Sequence, residues 1–215
     1  MEIKDIYNQY KIPENLRLHM YRVAAVGLLV ADLLGDNVLL DKDIIKKTLL
    51  LHDIGNIVKF NFENNTLLKE GEVEYFKKVR DEFISKYGAE EHVVTLNIVK
   101  ELNVPAKVIE ILENTGSSKI HLTIKSDDWY KKVCSYADFR VAPYGVVSVE
   151  ERFDDVIKRY QGREHVLADI EKTIEKKNNC LILEEQIQQR SVSPLSIIND
   201  EKIEGLIEEL KEYNI

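Results

Sequence analysis

The chain has 215 residues, ample for a hydrophobic core, and is 44% hydrophobic and 32% charged, the balance of a globular protein with many exposed helix faces. With 30 Lys and Arg against 38 Asp and Glu, its formal net charge of −8 argues against a broad nucleic-acid surface and leaves room only for local basic patches. The two cysteines, Cys134 and Cys180, make no paired motif, Met1-Glu2-Ile3-Lys4-Asp5 does not read as a signal peptide, and the longest apolar run, 23–34, is broken by Asp32 and too short to span a bilayer; a reduced, cytoplasmic setting without membrane attachment is expected.

Only 4 prolines and 9 glycines punctuate the sequence, and no alternating stretch is long enough to demand a sheet, so the fold class reads as all-α. Residues 2–10 form a short amphipathic helix. Pro13 fits the first turn of the next, where Leu16, His19, Val23, Val26, Val30 and Leu33 make one apolar stripe that ends at Gly35-Asp36-Asn37. Asp41 or Asp43 caps a third helix with the stripe Ile45, Leu49, His52, and Gly55 marks its end. Residues 56–71, with Asn61, Asn64, Asn65 and Gly71, read as a loop, and 72–86 as a helix stopped by Gly88. From Ala89 a stripe runs His92, Leu96, Val99; Pro105 opens a short helix through Glu113; 115–118 is a turn and 121–124 a short extended piece. Ser126 or Asp127 caps a helix from Trp129 to about Val141, with Asp138 beside its apolar face. After the break at Pro143-Tyr144-Gly145, Ser148-Val149-Glu150-Glu151 is a capping box for a helix to about Tyr160. A long charged helix over 164–190, a break at 191–194 and an amphipathic helix over 199–213 follow. No linker interrupts this order, so a helical core of residues 1–145 and a helical extension of 146–215 packed on it are expected to form one unit.

His19, His52 with Asp53, His92, and Asp138 stand on or beside the apolar faces of four separate helices. Buried carboxylates and imidazoles are costly unless paired, and one shared cation offsets several at once. Imidazole nitrogen beside carboxylate oxygen suits a divalent metal such as Mn, Fe, Co, Zn or Mg. The set therefore predicts a buried metal centre in a helical bundle.

The order His19, then His52-Asp53, then Asp138 resembles the H…HD…D signature of the HD superfamily of metal-dependent phosphohydrolases. His19-Met20-Tyr21-Arg22-Val23-Ala24, Leu50-Leu51-His52-Asp53-Ile54-Gly55 and Ala137-Asp138 are similar to its three ligand-bearing segments, over residues 15–145. The resemblance implies an HD-domain helical bundle in which His19, His52, Asp53 and Asp138 bind one divalent ion, Mn, Co, Ni, Fe or Mg. It also implies hydrolysis of a small phosphate ester, a nucleotide first among them, by a metal-activated water that Asp53 orients. His92 stands where two-metal members place an extra histidine, but Glu113-Asn114-Thr115 occupies the place of its partner and His121 falls late, which favours one metal and leaves His92 as a pocket residue. Arg22, Lys59 and Arg140 are the expected phosphate contacts, and Tyr144 and Trp129 are aromatics placed to stack on a base or to pack in the core. Asn56 stands where many relatives carry a phosphate-holding Lys, and Asn56 and Asn61 where others carry acidic assistants. Two alternatives follow: a phosphodiesterase of a cyclic or signalling nucleotide, and a non-catalytic metal- or nucleotide-binding sensor. Self-association as a homo-oligomer is left open.

Overall fold

A computed structural model describes residues 1–62, 68, 71–160 and 166–215. Helix α1 (Ile3–Gln9) buries Ile3, Ile6 and Tyr7, and the Tyr7 hydroxyl donates to the Leu50 carbonyl at 2.6 Å. Helix α2 (Glu14–Leu34) is the axis of the molecule and buries 13 of its 21 residues. By length and composition the 14–37 helical stretch could cross a membrane, yet 67% of its apolar window is buried inside the fold, where it serves as the core helix. Helix α3 (Lys42–Leu51) starts at Asp41, whose carboxylate accepts from the Asp43 N–H at 2.8 Å. It lies close against α2 because Gly27 has no side chain: a Cβ there would fall on Leu49 Cδ1, with Ile45 at 3.3 Å and Ala137 at 3.6 Å.

A 3-10 turn (Asn56–Lys59) follows α3, then α4 (Glu72–Tyr87), which Gly88 ends at φ 103°. The expected 56–71 loop is thus partly a 3-10 turn; its residues 63–67 and 69–70, including Asn64 and Asn65, lie outside the described residues. Helix α5 (Glu91–Glu101) is capped by the Glu90 carboxylate, which accepts from the His92 and Val93 N–H groups. Helix α6 (Ala106–Asn114) starts after Pro105, as read from sequence. The extended piece expected at 121–124 is instead one helical turn, α7 (Ile120–Thr123), continuous with a 3-10 turn over Ser117–Lys119. Tertiary packing of Ile120 and Thr123 decides it, both being buried.

The cap of α8 (Trp129–Phe139) is Asp128, not Ser126 or Asp127: its carboxylate accepts from the Tyr130 N–H at 3.0 Å, and Ser126 Oγ in turn accepts from the Asp128 N–H at 3.1 Å. Beyond α8 the chain makes an antiparallel hairpin, β1 (Val141–Ala142) with β2 (Gly145–Val146), pairing Val141 with Val146. Two-residue strands are too short for alternation to reveal, so the sequence reads only a break here. The capping box at Ser148 and Glu151 forms as expected and opens α9 (Val149–Tyr160). Helix α10 (Val166–Gln188) packs on α8 and α9, and α11 (Asp200–Lys211) packs on α2. Residues 164–165 of the expected 164–190 helix, His165 among them, lie outside the described residues. The chain ends meet: the Ile3 N–H donates to the Tyr213 carbonyl at 2.9 Å.

Candidate metal centre

Three helices aim their polar residues at one point. His19 sits in the second turn of α2, His52 caps the C-terminus of α3 with helical dihedrals (φ −60°, ψ −30°), and Asp138 lies in the last turn of α8. After α3 the Ile54 and Asn56 N–H groups donate to the Leu51 and Asp53 carbonyls at 3.2 and 2.9 Å, so the chain coils tightly and keeps Asp53 beside His52. Gly55, read from sequence as a helix stop, has a different role. Its φ −90° and ψ −4° are open to any L-residue, but a Cβ there would meet the Thr95 nitrogen at 2.6 Å and the Glu91 carbonyl oxygen at 2.7 Å. The missing side chain lets α5 lie on the turn, and the buried Gly55 N–H donates to Thr95 Oγ1 at 3.1 Å.

His19 Nε2 lies 3.5 Å from Asp53 Oδ2 and 3.4 Å from Asp138 Oδ1; His52 Nε2 lies 3.7 and 3.6 Å from the same two oxygens. One ligand atom each from His19, His52 and Asp53 falls within 4.8 Å of the others. The Leu49 carbonyl oxygen is 2.7 Å from His52 Nδ1, which fixes the Nδ1–H tautomer of the neutral ring and leaves the Nε2 lone pair facing the carboxylates. That Nε2 is buried and has no hydrogen-bond partner among the described residues. Burial opposes a charge on His52, but the carboxylates of Asp53 and Asp138 outweigh it and raise its pKa to about 9. Burial likewise pushes the Asp138 carboxyl up, but the two imidazoles beside it, with Nε2 atoms at 3.4 and 3.6 Å, hold it well below the usual carboxylate range. Two imidazoles, two carboxylates and an unpartnered inward nitrogen fit a divalent cation of the borderline class.

The cluster opens into a cavity of about 920 Å³, within the size range of small-molecule sites. Of the expected substrate contacts, Lys59 and His92 line it, Lys59 Nζ at 3.8 Å from a Glu91 oxygen and His92 Nε2 at 3.5 Å from Lys119 Nζ. His92 joins no metal-competent cluster among the described residues. Arg22 and Arg140 do not line the cavity. Three residues along α2 from His19, Arg22 is turned toward α11, its Nε 3.9 Å from Asp200 Oδ1. Arg140 is a buried tie: it donates to the Val147 carbonyl at 2.5 Å, the Tyr136 hydroxyl at 2.6 Å and the Ile198 carbonyl at 3.1 Å, which joins the hairpin to the chain before α11. Neither Trp129 nor the exposed Tyr144 reaches the cavity; Phe60, Phe139 and Phe153 do. Asn56 lines it, nearly buried. Sequence reasoning missed Lys119, Arg152 and Lys176, which also line it. Lys119 follows the turn at 115–118, Arg152 the capping box and Lys176 lies in a charged helix, and none of these local signals says that the side chain faces a cavity.

Among protein families, the HD domain family matches residues 17–137, more than half of the chain. The match takes in His19, His52, Asp53 and His92 and stops one residue before Asp138. No curated protein and no solved structure matches the chain.

Proposed function

The chain belongs to the HD domain family, and on that premise we propose that it is a metal-dependent phosphohydrolase acting on a small phosphate ester, a nucleotide first among them. His19, His52, Asp53 and Asp138 would hold one divalent ion, Mn, Co, Ni, Fe or Mg. The observation that carries this reading is the buried, unpartnered Nε2 of His52 facing two carboxylates that also face His19. A divalent cation at such a site supplies Lewis-acid polarisation of a phosphoryl oxygen and lowers the pKa of water toward neutrality. The residues of the chain do the rest. Asp53 accepts a hydrogen bond from the attacking water and so orients it, and His92, beside Lys119, donates to the phosphate.

Charge supports the same reading. Among the described residues four carboxylates (Asp53, Glu90, Glu91 and Asp138) and four cations (Lys59, Lys119, Arg152 and Lys176) line the cavity. A divalent ion leaves it with two positive charges, the complement of a phosphate monoester near neutral pH. Lys119 beside His92 makes that ring a poor ligand for a second cation, which supports one metal over two.

Elemental analysis of the purified chain and of Asp53→Ala tests this. About one divalent ion per chain is expected, lost in the variant, with phosphate release from nucleotides when that metal is present. A chain that binds none of Mn, Co, Ni, Fe or Mg refutes the metal site. Metal binding without turnover of any phosphate ester refutes the hydrolase and selects a metal- or nucleotide-binding sensor; turnover of diesters alone selects a phosphodiesterase.

A further inference from the structure

Arg152 and Lys176 face the cavity from α9 and α10, both outside the segment that matches the HD family. The capping box fixes where Arg152 stands: the Ser148 N–H and hydroxyl both donate to Glu151 at 2.8 and 2.9 Å, so Glu151 is engaged and Arg152 follows in the first helical turn. The next residue, Phe153, stacks on Phe139 with ring centroids 5.5 Å apart, and Phe139 directly follows Asp138. Lys177 pairs with Asp154 at 2.9 Å and ties α10 to α9, which leaves Lys176 on the cavity side. Packing and pairing thus hold the backbone around both cations, while the cations themselves have no such bond. Among the described residues Arg152 Nη1 is buried without a hydrogen-bond partner, and neither Arg152 nor Lys176 has an ion-pair partner.

A buried guanidinium nitrogen without an acceptor is destabilising, and a chain with 38 acidic residues has carboxylates to spare for pairing it. Lys59 is compensated by Glu91, and Lys119 donates to the Glu113 carbonyl. Arg152 and Lys176 are the cavity cations left uncompensated among the described residues. We propose that Arg152 and Lys176 form an anion site that takes a phosphate group of the substrate, so that α9 and α10 complete the active site. Arg152 offers a planar fork that matches phosphate oxygens two at a time, and Lys176 a point charge beside it. As a statement about substrate the assignment rests on the phosphohydrolase reading; the anion site itself does not.

The test is a calorimetric titration of inorganic phosphate into the full chain, both metal-free and metal-loaded, using the parent, Arg152→Gln, Lys176→Gln, the conservative Arg152→Lys, and Lys172→Gln as a charge control exposed on the same helix. Arg152→Gln is expected to weaken phosphate binding about tenfold or more and Lys176→Gln several-fold. Arg152→Lys should recover part of the loss, and Lys172→Gln should match the parent. Metal content should stay at the parent value in every variant. Thermal unfolding adds a readout that a structural arginine would move: Arg152→Gln should keep or raise Tm, because it removes an unsatisfied buried donor. Parent-like phosphate affinity in both Arg152→Gln and Lys176→Gln overturns the anion site. If the variants lose phosphate while the parent turns over no phosphate ester, the anion site stands and the hydrolase reading alone falls.

Discussion

Replacing Gly55 by alanine should loosen the metal centre although Gly55 touches no ligand. Its dihedrals accept alanine without strain, so the perturbation is one methyl group placed 2.6–2.8 Å from the Thr95 nitrogen, the Glu91 carbonyl oxygen and Thr95 Oγ1. Ordinary contact begins near 3.4 Å, so α5 must retreat from the turn by about 0.7 Å. Overpacking of this kind costs about 1–3 kcal/mol. The retreat also stretches the 3.1 Å bond from the Gly55 N–H to Thr95 Oγ1, and an unsatisfied buried donor costs about another 1–3 kcal/mol. The expected loss is about 2–6 kcal/mol, or a Tm lower by roughly 4–24 °C for a chain of this size. Urea unfolding of the metal-free parent and variant measures it without ligand linkage. Because Asp53 and His52 lie two and three residues before the glycine, the variant should also bind metal more weakly. Thr95→Val, which removes only the acceptor, should show the hydrogen-bond part of the loss alone. A Gly55→Ala protein that unfolds within 1 °C of the parent, by about the precision of such a comparison, and keeps its metal affinity would refute the close-approach reasoning.

Two further outcomes follow from the same packing. Arg140→Leu should lower stability by about 2–4 kcal/mol, since it leaves the Val147 and Ile198 carbonyls without their buried donor, while phosphate affinity stays at the parent value; a loss of phosphate binding in a folded variant would restore Arg140 to the site. The metal-free chain should lose stability as pH rises from 6.5 to about 9, on the order of 3 kcal/mol, because the His52 pKa is raised in the fold and its contribution is complete below the unfolded value and gone above the folded one; urea unfolding at pH 6 and pH 9.5, by about that difference, should separate the parent from a flat His52→Gln.

The helical fold and the grouping of His19, His52, Asp53 and Asp138 were legible for one physical reason: a histidine or aspartate in or beside an apolar stripe is a costly exception, and several such exceptions share an explanation, although His92, read the same way, stands outside the group. His19 in the stripe of α2 and His52 at the end of α3 are visible as breaks in periodicity, and the caps at Asp41 and Ser148 as turn chemistry local to a few residues. The readings that failed depend on distant partners. The turn at Ile120–Thr123 is helical because its residues are buried by other elements, and Arg140 is structural because Val147 and Ile198 arrive beside it from later in the chain. Arg22 illustrates the limit of helical spacing. A residue three places from a ligand is a neighbour on the helix surface, yet the remaining rotation suffices to turn it to α11.

Arg152 and Lys176 were invisible for the opposite reason. Charged residues on helices usually face solvent at little cost, so among 30 lysines and arginines these two do not stand out by pattern. What distinguishes these two is a missing partner, a property of the folded chain alone. The same asymmetry divides the site. Its His/Asp half depends on close approach between elements, at Gly27 for α2 and α3 and at Gly55 for the turn and α5; the apolar stripes around it show in the sequence, while Gly27 lies unmarked within one of them and Gly55 reads as a helix stop. Its anion-binding half is brought in by α9 and α10 through the Phe139–Phe153 stack and the Lys177–Asp154 pair, contacts between segments distant in the chain. Changes on α9 and α10 can therefore retune which anion the cavity accepts without disturbing the four groups that face one another across α2, α3 and α8.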